Sequence, residues 1–178
     1  YFVMEHVEGE PLTGYCDRNR FTVEKRLRLF IDVCKAVHHA HQKAVIHRDL
    51  KPSNILVTAT DGMAAPKVID FGIAKAMAQP LTDKTLVTAR GESWGTPEYM
   101  SPEQAGPDSA DVDTRTDVYA LGVMLYELLV GAPPFDPDTW KTGSVAELQK
   151  RIAELDPPRP TTRLSSLDPQ RVERAAKN

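Results

Sequence analysis

The chain has 178 residues, about one domain's length, and a chain of that size buries ~70% of its unfolded surface, enough to sustain a core. Its composition is that of a soluble globular protein, and a net charge of only -3 excludes bulk electrostatic attraction to nucleic acid or to a membrane surface, so any basic site must be local. Cys16 and Cys34 make no recognisable disulfide framework, and nothing at the start reads as a signal peptide, because Glu5, Glu8 and Glu10 interrupt the early apolar run; a reducing, cytoplasmic context is expected.

"YFVMEHVEGEPL" reads as a strand from its first residue, with no leading cap or turn, so Tyr1 is expected to cut into an element that begins upstream. In "FTVEKRLRLFIDVCKAVHHAHQ", Thr22 can cap a helix with Glu24 in its first turn, and Val23, Leu27, Phe30, Cys34 and Val37 share one face. His38 and His41 fall within one turn near its end. No Cys, Asp or Glu lies at a matching spacing, so they read as the C-terminal face of a helix rather than a metal site. "NILV" and "PKVID", separated by the turn signal "TDG", predict a small hairpin that ends on Asp70. From Gly72 to about Ser101 the periodicity fades and Thr, Gly, Ala and Pro accumulate. A loop that long inside a compact domain is usually functional or disordered, and its place between two clusters of chemistry favours function.

"DVYALGVMLYELLVG" carries a single charge, Glu127, between Asp117 and Gly131, and Pro133 and Pro134 follow. A helix apolar all round and too short for a bilayer is a central core helix, here with Asp117 as its expected N-cap. "SVAELQKRIAEL" has Ser144 and Glu147 as a capping box and Val145, Leu148, Ile152 and Leu155 as its stripe, which predicts an amphipathic surface helix. From Asp156 the chain turns Pro-rich and then polar, and no packed terminal element is expected. No internal repeat is present.

The chemistry concentrates in "VIHRDLKPSNILV". Asp49, Lys51 and Asn54 sit on a turn between two apolar runs, so their side chains can converge on one point that suits an oxyanion or a metal-bound phosphate. Asp49 could orient a hydroxyl and accept its proton, Lys51 could neutralise charge building on a transferred phosphoryl group, and Asn54 could offer a neutral oxygen to a divalent cation. Asp70 could give that cation a carboxylate, and Mg²⁺ favours such sparse oxygen ligation shared with substrate phosphates. Asp and Asn making plain turn hydrogen bonds would explain any one of these residues, but not the set.

These residues carry a resemblance. "HRDLKPSN" resembles the catalytic loop of eukaryotic-type (Hanks-type) serine/threonine protein kinases, "DFG" at Asp70–Gly72 their magnesium motif, and "SPE" at Ser101–Glu103 the end of their activation segment. "GTPEYMSPEQA" and "DVYALGVMLYELL" are closer to bacterial members. The fold implied is mainly α (α+β): a protein-kinase-like C-terminal lobe, a helical bundle with a small β-hairpin at the active site and the N-terminal lobe absent. The implied division is a last N-lobe strand and hinge at 1–10, helices and catalytic loop at 11–69, activation segment at 70–103, and truncated C-lobe helices at 104–178.

By the same resemblance Asp49 is the catalytic base, Lys51 a phosphate contact, and Asn54 and Asp70 the metal ligands, with ATP and Mg²⁺ as cofactors and Ser or Thr hydroxyls of proteins as acceptors. Thr96 is implied to bond both the base and the lysine. His47 and Phe71, beside Gly72, resemble members of a stacked apolar spine, with Asp117 anchoring the backbone around His47. Arg48 is implied to pair with a phosphate on Thr82, Thr85 or Thr88, Thr88 foremost. Met4 corresponds to a gatekeeper, Glu5, His6 and Val7 to the backbone that meets adenine, and Leu56 to the residue beneath the purine.

The departures matter as well. The 178 residues contain no glycine-rich loop, strand lysine or partnering helix glutamate, and no late arginine to match Glu103, whose unpaired burial would cost a few kcal/mol. The expectation is a fragment of a longer kinase whose missing N-terminal lobe is its partner; alone it should bind Mg²⁺-ATP weakly, transfer no phosphate and expose apolar surface. It has no membrane segment. A pseudokinase-like scaffold would be expected to lose at least one of the four polar residues. A small-molecule phosphotransferase would lack the "GTPEYMSPE" segment.

Overall fold

The computed structural model describes residues 5–60, 63–71, 96–106, 112–140 and 144–167, apart from the side chains of Thr60 and Val145. Met4, Gly72, Thr82, Thr85 and Thr88 lie outside the described residues. Residues 5–9 carry no regular structure. The strand expected from Tyr1 is, among the described residues, the two-residue β1 (Glu10–Pro11), followed at once by α1 (Leu12–Arg18). The approach to β1 is tight: a Cβ on Gly9 would stand 3.0 Å from the Val57 carbonyl oxygen.

Helix α2 (Val23–Gln42) is the helix the periodicity predicts, with Thr22 as its N-cap accepting from the Lys25 amide. Its inward face is Arg26, Leu29, Phe30, Val33 and Val37, whereas Val23, expected on that face, is exposed at the first turn. Arg26 is buried because its head has partners: Nη2 donates to Asp17 Oδ1 at 2.7 Å and Nε to the Phe21 carbonyl at 3.0 Å.

The hairpin forms as β2 (Ile55–Thr60) and β3 (Met63–Val68), antiparallel, with Ile55 opposite Val68 and Thr60 opposite Met63. Sheet order is β1-β2-β3, and β1 sets Pro11 opposite Leu56. Period-two alternation buries Ile55 and Val57 on the core side of β2. Pro66 is tolerated because β3 is an edge strand.

Residues 96–106 run through a 3-10 turn (Pro97–Tyr99) into the short α3 (Pro102–Ala105). The apolar helix α4 spans Arg115–Val130, and Gly131 closes it in the left-handed region at φ 78°, its amide donating to the Glu127 carbonyl. Asp117 is not its N-cap: Thr114 holds that place, and Asp117, buried in the first turn, spends its carboxylate elsewhere. Nor is α4 sealed all round, since Val118 is 59% exposed and Leu129 38%.

A 3-10 turn (Pro137–Trp140) precedes α5 (Val145–Glu154), whose capping box is as predicted: Ser144 N donates to Glu147 Oε2 at 2.7 Å and Glu147 N to Ser144 Oγ at 3.3 Å. Ile152 is buried, but Leu155 lies past the helix end and is exposed. A short helix follows the Pro-rich run. Helix α6 (Pro160–Ser166) starts on its proline and rests on α4, with Arg163 donating to Asp136 Oδ1 at 2.7 Å and to the Pro133 carbonyl at 3.2 Å.

Two apolar clusters result. The larger joins Leu12, Val33, Val37, Leu50, Ile55 and Met124, drawn from α1, α2, β2 and α4, and Leu50 ties the predicted catalytic turn to it. The smaller joins Ala105, Trp140 and Ile152 with Met100, Phe135 and Leu148. No described helix is long and apolar enough to cross a membrane.

Candidate active site

The turn between α2 and β2 is held from beneath. Asp117, 1% exposed, accepts from the Arg48 amide at 2.8 Å on one oxygen, and from the His47 amide at 2.9 Å and His41 Nε2 at 2.7 Å on the other. Three hydrogen bonds satisfy a carboxyl group that burial would otherwise penalise. The sequence reading left His41 without a partner because its partner lies 76 residues away, on another helix.

His47 is fully buried. Its Nε2 donates to the Ile69 carbonyl at 2.9 Å, which leaves Nδ1 to accept from the Asp49 amide at 3.3 Å. Its ring lies 4.8 Å from that of Phe71, so the pair expected to stack is in contact. Arg48 holds a φ of 67°, a left-handed conformation costing about 1–3 kcal/mol for a side-chain-bearing residue unless its surroundings enforce it. Asp117 fixes its amide, and Gln104 Nε2 donates to its carbonyl at 2.7 Å. The Arg48 guanidinium makes no hydrogen bond among the described residues, and its predicted partners lie outside them.

Beyond this strained residue three of the predicted side chains meet. Lys51 Nζ stands 3.1 Å from Asp49 Oδ2, and Asn54 Nδ2 donates to the Asp49 carbonyl at 2.9 Å while reaching the same carboxylate at 3.5 Å. Asp49 and Lys51 keep 28% and 23% of their side chains exposed, so both can reach a ligand. Asn54 is buried, with its nitrogen committed to Asp49 and its Oδ1 still able to accept. Asp70 is exposed, with φ 56°. It follows Ile69, whose amide donates to the Asn54 carbonyl and whose carbonyl accepts from His47, so the backbone beside Asp70 is bonded to the turn on both sides. A carboxylate and a neutral amide oxygen are hard donors that suit Mg²⁺, which asks for one or two carboxylates and takes its other oxygens from phosphates and water. No cluster of three His, Cys, Asp or Glu side chains occurs among the described residues, so tighter all-protein ligation is not on offer there.

The other predicted positions are dispersed. Glu5 and His6 are exposed and Val7 half-buried; Glu5 Oε1 bonds Lys67 Nζ of β3 at 2.9 Å, and that pairing holds the carboxyl of Glu5 below its ordinary range. Leu56 is half-buried in β2. Thr96 lines a small cavity with Asp49, Tyr99, Gln104 and Thr116. Glu103 is half-buried rather than buried, with no ion pair among the described residues, so the penalty expected for it does not apply in full.

Sequence reasoning missed two links, one buried and one half-buried. Ser101 Oγ meets Thr116 Oγ1 at 2.5 Å, and Gln104 Oε1 accepts from the Ser101 amide at 3.1 Å. Tyr99 donates its hydroxyl to Glu127 of α4, the single charge in the apolar helix. Burial raises the Glu127 carboxyl, with the charges of Asp17 and Glu98 adding to the rise, and burial with the Glu127 charge pushes the Tyr99 phenol far up. The lone charge in "VYALGVMLYELLV" was the available signal.

Comparison with known proteins follows the same lines, and the family profile described as the protein kinase domain matches residues 1–177. The chain belongs to the protein kinase family. Within that family it is of the bacterial Hanks-type serine/threonine kind: the serine/threonine-protein kinase PknB of Mycobacterium leprae is 45% identical over 140 residues, covering 78% of this chain and 21% of that protein. PknB of Mycolicibacterium smegmatis is 39% identical over 171 residues, or 96% of this chain and 25% of that protein. The crystal structure of the PknI kinase domain of Mycobacterium tuberculosis, in a cysteine-to-alanine mutant, is similar with a TM-score of 0.52 and 28% identity, covering 84% of this kinase chain and 51% of that domain. The chain thus spans a fifth to a quarter of these curated relatives and half of the solved domain.

Proposed function

We propose that this chain supplies the catalytic half of an ATP- and Mg²⁺-dependent kinase that phosphorylates Ser or Thr hydroxyls of proteins. The observation that carries the reading is the Asp49 carboxylate, held 3.1 Å from the Lys51 ammonium on a turn clamped by Asp117. Asp49 orients the acceptor hydroxyl and takes its proton. Lys51 places positive charge beside that carboxylate, where the transferred phosphoryl group gathers negative charge. Asn54 and Asp70 would hold a magnesium ion through their side-chain oxygens, and that ion would supply charge neutralisation to the phosphates of ATP. His47 and Phe71 support the turn, and Arg48, Thr96 and Gly72 belong to its regulation, together with a phosphate on Thr88 or Thr85.

Residues 1–10 correspond by family resemblance to the end of an N-terminal lobe and its hinge, with Met4 to Val7 and Leu56 assigned to adenine. Residues 11–69 carry helices and catalytic loop, 70–103 the activation segment and 104–178 the helices of the C-terminal lobe. A glycine-rich loop and a strand lysine are not among these 178 residues, and without them the 178 residues alone are expected to transfer no measurable phosphate. The test uses the full-length parent protein with labelled ATP. The Asp49→Asn variant incorporates about 10²–10⁴-fold less label than wild type if the carboxylate is the base. Equal incorporation removes Asp49 from the mechanism, and an inactive wild type favours a binding scaffold.

A further inference from the structure

The geometry points to Gln104 as a positioning residue for phosphoryl transfer, acting through the Arg48 carbonyl on the direction of Asp49; this rests on Asp49 being the base. Arg48 is left-handed at φ 67° and is pinned at both ends of its backbone. Asp117 of α4 takes its amide at 2.8 Å, and Gln104 of α3 holds its carbonyl at 2.7 Å. The carbonyl of Arg48 belongs to the peptide plane that leads into Asp49, so the Gln104 bond fixes the rotation from which the Asp49 side chain starts. A carbonyl released from that bond leaves the left-handed conformation enforced from one side alone.

Gln104 is itself preset. Its Oε1 accepts from the Ser101 amide at 3.1 Å and from Ser101 Oγ at 3.3 Å, and the fully buried Ser101 hydroxyl meets Thr116 Oγ1 at 2.5 Å. Thr116 is the residue before Asp117. The two anchors of Arg48 are therefore tied to each other through Ser101, and the segment 96–106 is joined to the catalytic turn by hydrogen bonds rather than by substrate.

The experiment measures ADP release against ATP concentration in the full-length parent protein, together with amide hydrogen exchange over residues 47–50. Gln104→Met keeps the side chain's length and loses all three bonds. It is expected to lower kcat about 10- to 100-fold with KM for ATP within about twofold, and to speed exchange at Arg48 and Asp49. Unchanged kcat and unchanged exchange overturn the proposal. So does a loss in which exchange quickens throughout the molecule and KM rises in step, the mark of a merely structural role. Should Gln104→Met not fold, Ser101→Ala decides: it slackens the far end of Gln104 and is expected to lower kcat about threefold at constant KM, whereas wild-type kcat overturns the assignment. A wild-type parent with no ATP turnover sinks the kinase reading instead, while the exchange arm still tests Gln104.

Discussion

Arg48 and Asp70 are left-handed residues that flank the candidate site, at φ 67° and 56°, and each carries a side chain that disfavours that region. Such strain persists where neighbours over-determine it. For Arg48 the principal neighbour is Asp117, whose buried carboxylate receives two backbone amides and His41. Asp117→Asn tests how much it contributes. The amide has one accepting oxygen and turns an NH₂ toward a donor, so at least one bond becomes a repulsion. Unfolding free energy of the parent kinase domain by urea titration should fall by about 2–5 kcal/mol. A loss under about 1 kcal/mol would show that the left-handed turn is sustained from elsewhere. At this scale the sequence was legible where the chemistry is contiguous. Asp49, Lys51 and Asn54 lie within six positions, so a turn alone brings them together. Asp117 and Gln104 reach the same turn from 69 and 56 residues away, and no local periodicity records such contacts. Local pattern therefore casts Asp117 as a cap, whereas the family resemblance assigns it to the backbone around His47, where it is found.

Among the elements, α4 carries the clearest conflict between composition and environment. Its apolar faces required burial, and Ala120, Val123, Met124 and Leu128 are buried, yet Glu127 goes in with them. Tyr99 supplies the compensating hydroxyl. The carboxyl of Glu127 is raised by burial first, so in the folded state it holds its proton to higher pH than in the unfolded chain. The folded state then binds more protons across that window, and stability falls as pH rises through it. Glu127→Gln can still accept from Tyr99 and does not titrate. The melting temperature of the variant relative to wild type should thus climb as pH rises through and above the ordinary carboxylate range, and a gap that stays constant would remove burial of the charge as the cause. Elements with a full period were legible in advance: α2, α4, α5 and the β2–β3 hairpin all follow their predicted stretches. Helices α1 and α6 were not, for they span seven residues each, too few for a periodic stripe. Gly14 interrupts the first, and the prolines before the second read as a break although Pro160 occupies a first-turn position where its missing amide costs nothing.

At the scale of the whole molecule, the candidate site stands on one cluster and the segment after it on the other. The larger cluster runs under the catalytic turn through Leu50, Val33, Ile55 and Met124. Among the described residues the smaller one has three buried members, Ala105, Trp140 and Ile152, and there the buried Trp140 Nε1 has no hydrogen-bond partner. Leaving such a donor unmade costs about 1–3 kcal/mol, and a cluster with few apolar members has little to offset it. The smaller unit should therefore open without the larger. Native-state hydrogen exchange in the parent protein is expected to protect amides of Val33–Val37 in α2 to near the global unfolding free energy, and those of Leu148–Ile152 in α5 distinctly less. Mild denaturant should leave exchange at α5 unaffected while accelerating it at α2, because the smaller opening exposes little surface. Equal protection of the two helices would mean that one cooperative unit includes both clusters. In that event the α3 helix, which packs on α5 and carries Gln104, would be as rigid as the catalytic turn it holds.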